Sequence, residues 1–121
     1  MDETYLTSII YFVNLLKDHQ KNNKWTFELG RKYDKVVCNG TLASDIPVEK
    51  FREDEVRYFV ERSTGNIYGA RSNTTPHLGW YFGNLNRCHL WDWSSHHGVP
   101  TNDPDIRPFK TYGPFIHYRL I

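Results

Sequence analysis

The chain has 121 residues, which is enough for one hydrophobic core and too few for two. Lys and Arg number 15 and Asp and Glu 14, so a net charge of +1 excludes a strong overall field that would attract nucleic acid or an anionic membrane. Aromatic residues make up 16% of the chain, with four Trp, eight Tyr and seven Phe. Aromatic rings must therefore form much of the core and part of the surface.

The N-terminal segment predicts an amphipathic helix over residues 3–19. Its apolar residues recur at helical spacing, as in Tyr5, Ile9, Phe12 and Leu16. Asn14 and Lys17 make this stretch too polar and too short to span a bilayer, so we expect no membrane partner. We also expect no secretory signal, because Asp2 and Glu3 stand where a signal peptide carries positive charge.

Segments of alternating or β-branched residues predict a sheet region over residues 24–94. Strands are predicted at 24–29, 33–38, 56–61 and 79–85, and a loop at 41–54. Ser63, Thr64, Gly65 and Asn66 supply turn chemistry before Ile67 and Tyr68, which predicts a hairpin after the third strand.

Prolines become frequent beyond residue 94, where Pro100, Pro104, Pro108 and Pro114 occur. They predict irregular structure that wraps the surface over residues 95–121, with 115–120 returning as an edge strand. The predicted fold class is therefore α+β. It is one domain, with the N-terminal helix packed on one antiparallel sheet of four or five strands and a Pro-rich C-terminal wrap.

Cys38 and Cys88 are far apart and stand alone, so the sequence does not indicate a disulfide framework. Reduced thiols are the simpler interpretation, and they favour an intracellular, cytoplasmic location.

Two segments resemble small proteins encoded by tailed bacteriophages, notably those of marine cyanophage type. They read RKYDKVV at residues 31–37 and RYFVERSTGNIYGARS at residues 57–72, and the similarity extends to 79–85. The resemblance implies a viral origin and action inside a host cell. It carries no established activity, so it assigns no functional residue.

Potential metal ligands are densest in the segment CHLWDWSSHH, which contains Cys88, His89, His96 and His97. Thiolate and imidazole ligands suit zinc. Adjacent residues such as Cys88 and His89 seldom both reach one ion, so we favour a buried thiol and solvated histidines and predict no metal and no cofactor. No GxGxxG or Walker pattern and no nucleophile–base pattern is present in the sequence, which favours a non-enzymatic protein.

Our leading hypothesis is an accessory protein that binds a host protein, as an inhibitor or takeover factor. The expected protein-binding residues combine rings with a guanidinium, as interface hot spots do: Trp80, Tyr81, Arg87, Trp91 and Trp93. Trp91 and Trp93 are as compatible with the core as with an interface, whereas Trp25 favours the core.

Two alternatives remain open. The first is a protein that binds single-stranded nucleic acid through Arg57, Phe59, Tyr68 and Arg71, because rings and guanidinium groups on a sheet can stack on bases. The second is a virion or self-assembling structural protein, favoured by the Pro-rich wrap and an exposed terminal edge.

Overall fold

The computed structural model describes residues 3–21, 23–41, 55–95, 98–112 and 115–120. Within these residues one α-helix precedes seven strands, which pair antiparallel in a single sheet. The helix is α1 (Glu3–His19), and the strands are β1 (Asn23–Glu28), β2 (Tyr33–Thr41), β3 (Glu55–Glu61), β4 (Asn66–Ala70), β5 (Pro76–Asn84), β6 (Ile106–Tyr112) and β7 (Phe115–Leu120). A 3-10 helix, Leu85–Leu90, follows β5 directly.

The α+β class, with an N-terminal helix and an antiparallel sheet, is confirmed. Helix α1 buries one stripe, formed by Ile9, Phe12, Val13 and Leu16. Glu3 lies in its first turn and Lys17 lies in its last, which suits the helix dipole at both ends. No helix in the described ranges combines the length and apolar character that a membrane crossing requires.

The predicted number of four or five strands is wrong, because the sheet has seven strands in the order β1-β2-β3-β4-β5-β7-β6. Strand β6 comes from the region predicted as an irregular Pro-rich wrap, and β7 comes from the segment predicted to return as a terminal strand. Pro108 lies within β6, the edge strand of the sheet that the described residues form, where a missing N–H can be tolerated. Strand β7 was predicted at an edge but pairs with β5 on one side and β6 on the other. Of the predicted loop at 41–54, residues 42–54 lie outside the described residues.

Aromatic rings form the centre of the core. Phe12 from α1 meets Tyr58 and Trp93 edge-on, with ring centroids 5.6 and 4.9 Å apart. Tyr58 also contacts Phe82 at 5.2 Å, and Trp25 stacks over Tyr58 at 6.1 Å. Trp25 is thus a core residue, as predicted. These edge and offset contacts are the arrangements that aromatic pairs favour.

A second, smaller cluster of apolar residues includes Val37, Val56 and Phe59, with Tyr33 and Ala70 packed against it. Phe59 pairs with Tyr68 across β3 and β4, whereas its neighbours Tyr58 and Val60 belong to the main core. Because successive side chains of a strand point to opposite faces, the centre of the sheet buries apolar residues on both faces.

Candidate binding surfaces

The structure places Trp91 and Trp93 in the core, so the prediction that they contribute to an exposed surface is wrong. Their exposed fractions are 2% and 0%, and their rings stack with centroids 5.7 Å apart. Both indole N–H groups have acceptors: Trp93 Nε1 donates to the carbonyl of Cys88 at 2.9 Å and Trp91 Nε1 donates to Asp103 Oδ2 at 3.2 Å. With their polar edges satisfied, both rings can be buried completely.

The other three predicted protein-binding residues are partly buried. Trp80 stacks on His117 at 5.2 Å and contacts Phe82, and Tyr81 contacts Tyr68. Burial raises the pKa of Tyr81 to about 12. Arg87 forms a short contact with Asp103 and a second one with Asp105. The five predicted residues therefore do not form one exposed surface.

The predicted nucleic-acid site is divided between buried and exposed residues. Phe59 is buried in the smaller apolar cluster, so its ring is not available to stack on a base. Arg57 is paired with Glu55 at 3.4 Å, whereas Arg71 is exposed in the turn between β4 and β5. Tyr68 is partly buried against Tyr81, so the four predicted residues do not form one exposed surface.

The two weak zinc candidates Cys88 and His89 lie in different environments, one buried and one exposed. The thiol of Cys88 is fully buried and donates to the carbonyl of Leu85 at 3.2 Å, and burial raises the pKa of this thiol to about 12. His89 is exposed. His96 and His97 lie outside the described residues, and within those residues no group of three or more metal-ligating side chains is found.

Two buried carboxylates are saturated with hydrogen bonds. Asp34 accepts from the hydroxyl of Tyr5, from the backbone N–H of Gly30 at 2.6 Å and from both Nε and Nη2 of Arg62. These donors hold the pKa of Asp34 below its usual range against the opposing effect of burial. Asp103 accepts hydrogen bonds from Nε and Nη2 of Arg87, which lower the pKa of Asp103. Such fully bonded carboxylates stabilise the fold and have little capacity left for a substrate.

A polar cleft of about 270 Å³ lies between the start of α1, the β3–β4 turn and the start of the 3-10 helix. Its polar groups are largely bonded to one another. Asn84 Nδ2 donates to the carbonyl of Thr64 at 2.8 Å, Asn84 Oδ1 accepts from the N–H of Asn86, and Thr64 Oγ1 donates to Glu61. The cleft therefore offers little unpaired recognition chemistry.

The hairpin of β6 and β7 presents two chemically different faces. Residues opposite each other in the register share a face, and so do residues two apart along a strand. One face, here called the apolar face, contains Pro108, Ile116, Tyr118 and Leu120, together with Ile106, which lies opposite Leu120 and is buried in the core. The other, here called the basic face, contains Arg107, Lys110 and Arg119, with His117 buried beside them. Phe109 lies in a register shift between Pro108 and Lys110, and the contact of its ring with Arg119 places it on this face as well.

The side chains of both faces are exposed at several positions. Ile116 is 44%, Leu120 52% and Phe109 55% exposed, and Leu78 on the adjacent strand β5 is also exposed. On the basic face, Arg119 Cζ lies 4.4 Å from the centroid of the Phe109 ring, a cation–π contact at the surface.

Sequence reasoning missed this hairpin although a signal was present. Residues 106–121 contain three Lys and Arg residues and no Asp or Glu. A count over residues 72–121 conceals this, because all three acids of that segment precede Ile106. The prolines of this region favour an irregular wrap and obscure the alternation of β6.

No protein family model, no curated protein and no solved structure matches this chain.

Proposed function

We propose that the protein is a non-enzymatic, phage-type accessory protein that binds a host protein through the apolar face of its C-terminal hairpin. The observation that carries the proposal is the exposure of Ile116 and Leu120, about half of each side chain, on one face of β7. Exposed aliphatic side chains that follow one another on a face favour protein contact, since they gain by leaving water.

The surroundings of these two residues support an interface. Tyr118 lies between them on β7 and is partly buried by an edge contact with Trp91 at 5.7 Å. Pro108 faces Tyr118 from β6 and is exposed. Tyr118 packs on Trp91 and is flanked by aliphatic side chains. This arrangement resembles the centre of an interface, where aromatic anchors contribute most of the affinity.

The buried reactive groups support a non-enzymatic role. The Cys88 thiol is shielded from solvent, and its raised pKa keeps it protonated at neutral pH, which is the opposite of an activated nucleophile. Asp34 and Asp103 are each occupied by an arginine. These groups are better explained by stability than by catalysis.

The proposal is tested by capturing the tagged protein's partner from nuclease-treated lysate of its natural host and measuring the affinity of the purified pair. We expect Ile116→Ser with Leu120→Ser to weaken binding at least tenfold, the effect of removing about 1.4 kcal/mol of contact energy. Tyr11→Ser is the matched control, because Tyr11 is an exposed ring on α1, away from the hairpin.

Two results would overturn the proposal. The first is unchanged affinity in the double variant with a normal circular dichroism spectrum, which would move the interface elsewhere. The second is concentration-dependent self-association without any captured partner, which would favour the structural, self-assembling alternative.

A further inference from the structure

The basic face of the C-terminal hairpin has a composition unlike the rest of the sheet. Strands β5, β7 and β6 are adjacent, and their residues include two histidines, two arginines and one lysine but no Asp or Glu. The other four strands contain Glu28, Asp34, Glu55 and Glu61. One side of the sheet is therefore a local source of positive potential in a chain whose net charge is only +1.

The nearest acids in sequence do not cancel this potential. Asp103 and Asp105 precede β6, but both are bound by Arg87, at 2.6 and 2.9 Å. Among the described residues, no carboxylate lies within ion-pair distance of Arg107 or Arg119. Their charges remain available to an external anion.

Rings accompany these charges on the same face. Arg119 covers one side of the Phe109 ring, which is more than half exposed. Arg107 is opposite Arg119 in the register, and Lys110 is opposite His117, which in turn stacks on Trp80. Cations and rings thus alternate from β5 across β7 to β6, the edge strand of the described sheet.

We propose that this basic face binds single-stranded nucleic acid, with phosphates contacting Arg107 and Arg119 and a base stacking on Phe109. An exposed ring beside cations on an open sheet is the arrangement that single strands use, because unpaired bases present their flat faces. A duplex hides those faces, and the described residues offer no helix beside Phe109 to enter a groove. The site differs from the one predicted from the sequence, where Phe59 is buried. It is also independent of the proposed protein interface, which uses the opposite face.

The inference is tested by fluorescence anisotropy with a labelled oligothymidylate and a labelled oligouridylate of about twelve nucleotides. Two phosphate contacts to a single strand predict that log K falls with log salt with a slope of about −1.4, or about a sevenfold loss between 50 and 200 mM NaCl. Phe109→Ala should weaken binding about tenfold, whereas Phe109→Tyr should retain it. Arg107→Ala with Arg119→Ala should reduce the slope by about 1.4.

Arg71→Ala is the matched control, because it removes an exposed arginine in the turn between β4 and β5, outside the hairpin of β6 and β7. It should leave affinity within about twofold of the wild type, beyond a small loss of long-range attraction. Failure of wild-type binding at 50 mM salt, or an equal loss in Arg71→Ala and the double arginine variant, would overturn the inference.

Polyglutamate of matched charge identifies the remaining possibility. If it displaces the oligonucleotide at equal concentration and Phe109→Ala has no effect, the face recognises carboxylates, and an acidic protein replaces nucleic acid as its ligand. The Ile116 and Leu120 double variant should bind the oligonucleotides normally, so failure here and failure of the proposed protein interface are separate results.

Discussion

Arg87 joins two carboxylates of unequal burial, Asp103 and Asp105. Asp103 is buried and receives Arg87 Nη2 at 2.6 Å and Nε at 3.0 Å, whereas Asp105 is exposed and receives the same Nη2 at 2.9 Å. Asp103 also accepts from Trp91 Nε1. The segment that precedes β6 is thereby fastened to the 3-10 helix and to the stacked tryptophans.

This inequality predicts different effects of two similar substitutions. Asp103→Asn should lower the free energy of unfolding by about 3 kcal/mol. The substitution removes the buried negative charge that pairs with Arg87, and an amide N–H₂ group then faces the guanidinium. Asp105→Asn should lower it by less than about 1 kcal/mol, because water screens an exposed pair. Urea denaturation of both variants measures the difference, and equal losses would show that the two contacts are energetically equivalent.

The burial of Trp93 and the exposure of Phe109 predict different effects of substitution on stability. Trp93→Leu should lower the free energy of unfolding by about 3 kcal/mol, since it removes ring contacts with Phe12, Tyr58 and Trp91 and leaves a cavity. Phe109→Ala, at an exposed ring, should lower it by less than about 1 kcal/mol. Guanidinium denaturation of the two variants is the measurement. A larger loss for Phe109→Ala would place that ring in a structural role.

The elements with a clear period could be predicted from the sequence. Helix α1 has the predicted bounds, and β1 to β5 begin and end within a few residues of the predicted strands. These segments alternate or repeat locally, so their own residues determine the buried face. Strand β6 could not be found in this way, because Pro108 is a strong local signal against a strand and only its edge position makes it tolerable.

The division of tryptophans between core and surface could not be predicted, because it depends on partners that are distant in sequence. Trp91 finds an acceptor in Asp103 and Trp93 packs on Phe12 of α1, about eighty residues earlier. A single sequence does not report such pairs. The candidate site was missed for a related reason, since the two faces of the hairpin exist only once β6 and β7 pair in register.

Gly83 predicts a local backbone effect near the end of β5. Its φ is +84°, and a side chain there would also meet the Trp91 ring at 3.0 Å. Gly83→Ala should therefore lower the free energy of unfolding by about 2 kcal/mol through backbone strain and crowding. Gly79→Ala in the same strand is the control, because Gly79 lacks a positive φ and the nearest atoms to an added Cβ belong to the His77 ring, 3.3 Å away. Thermal denaturation in which both variants melt together would contradict this reading.

His117 predicts a pH dependence of stability in the neutral range. It is buried in β7, and burial together with His77 and Lys110 lowers its pKa. The groups that face it come from β5 (His77, Trp80) and β6 (Lys110), and Arg119 lies two residues further on β7. Folding disfavours the protonated imidazole, first because burial removes it from water and second because His77 and Lys110 lie beside it; a backbone hydrogen bond with Gly79 offsets part of this effect.

The lowered pKa of His117 makes the folded protein less stable as the pH falls. The unfolded chain binds the proton more readily, so the stability contributed by neutral His117 is present above the unfolded pKa of about 6.5 and is lost as the pH falls through that value toward the folded pKa. His117→Phe should therefore flatten the decline in melting temperature between about pH 7.5 and 5.5. His89→Gln, at an exposed histidine outside this cluster, should leave the wild-type slope. A slope that changes in His89→Gln and persists in His117→Phe would assign the pH dependence to other groups.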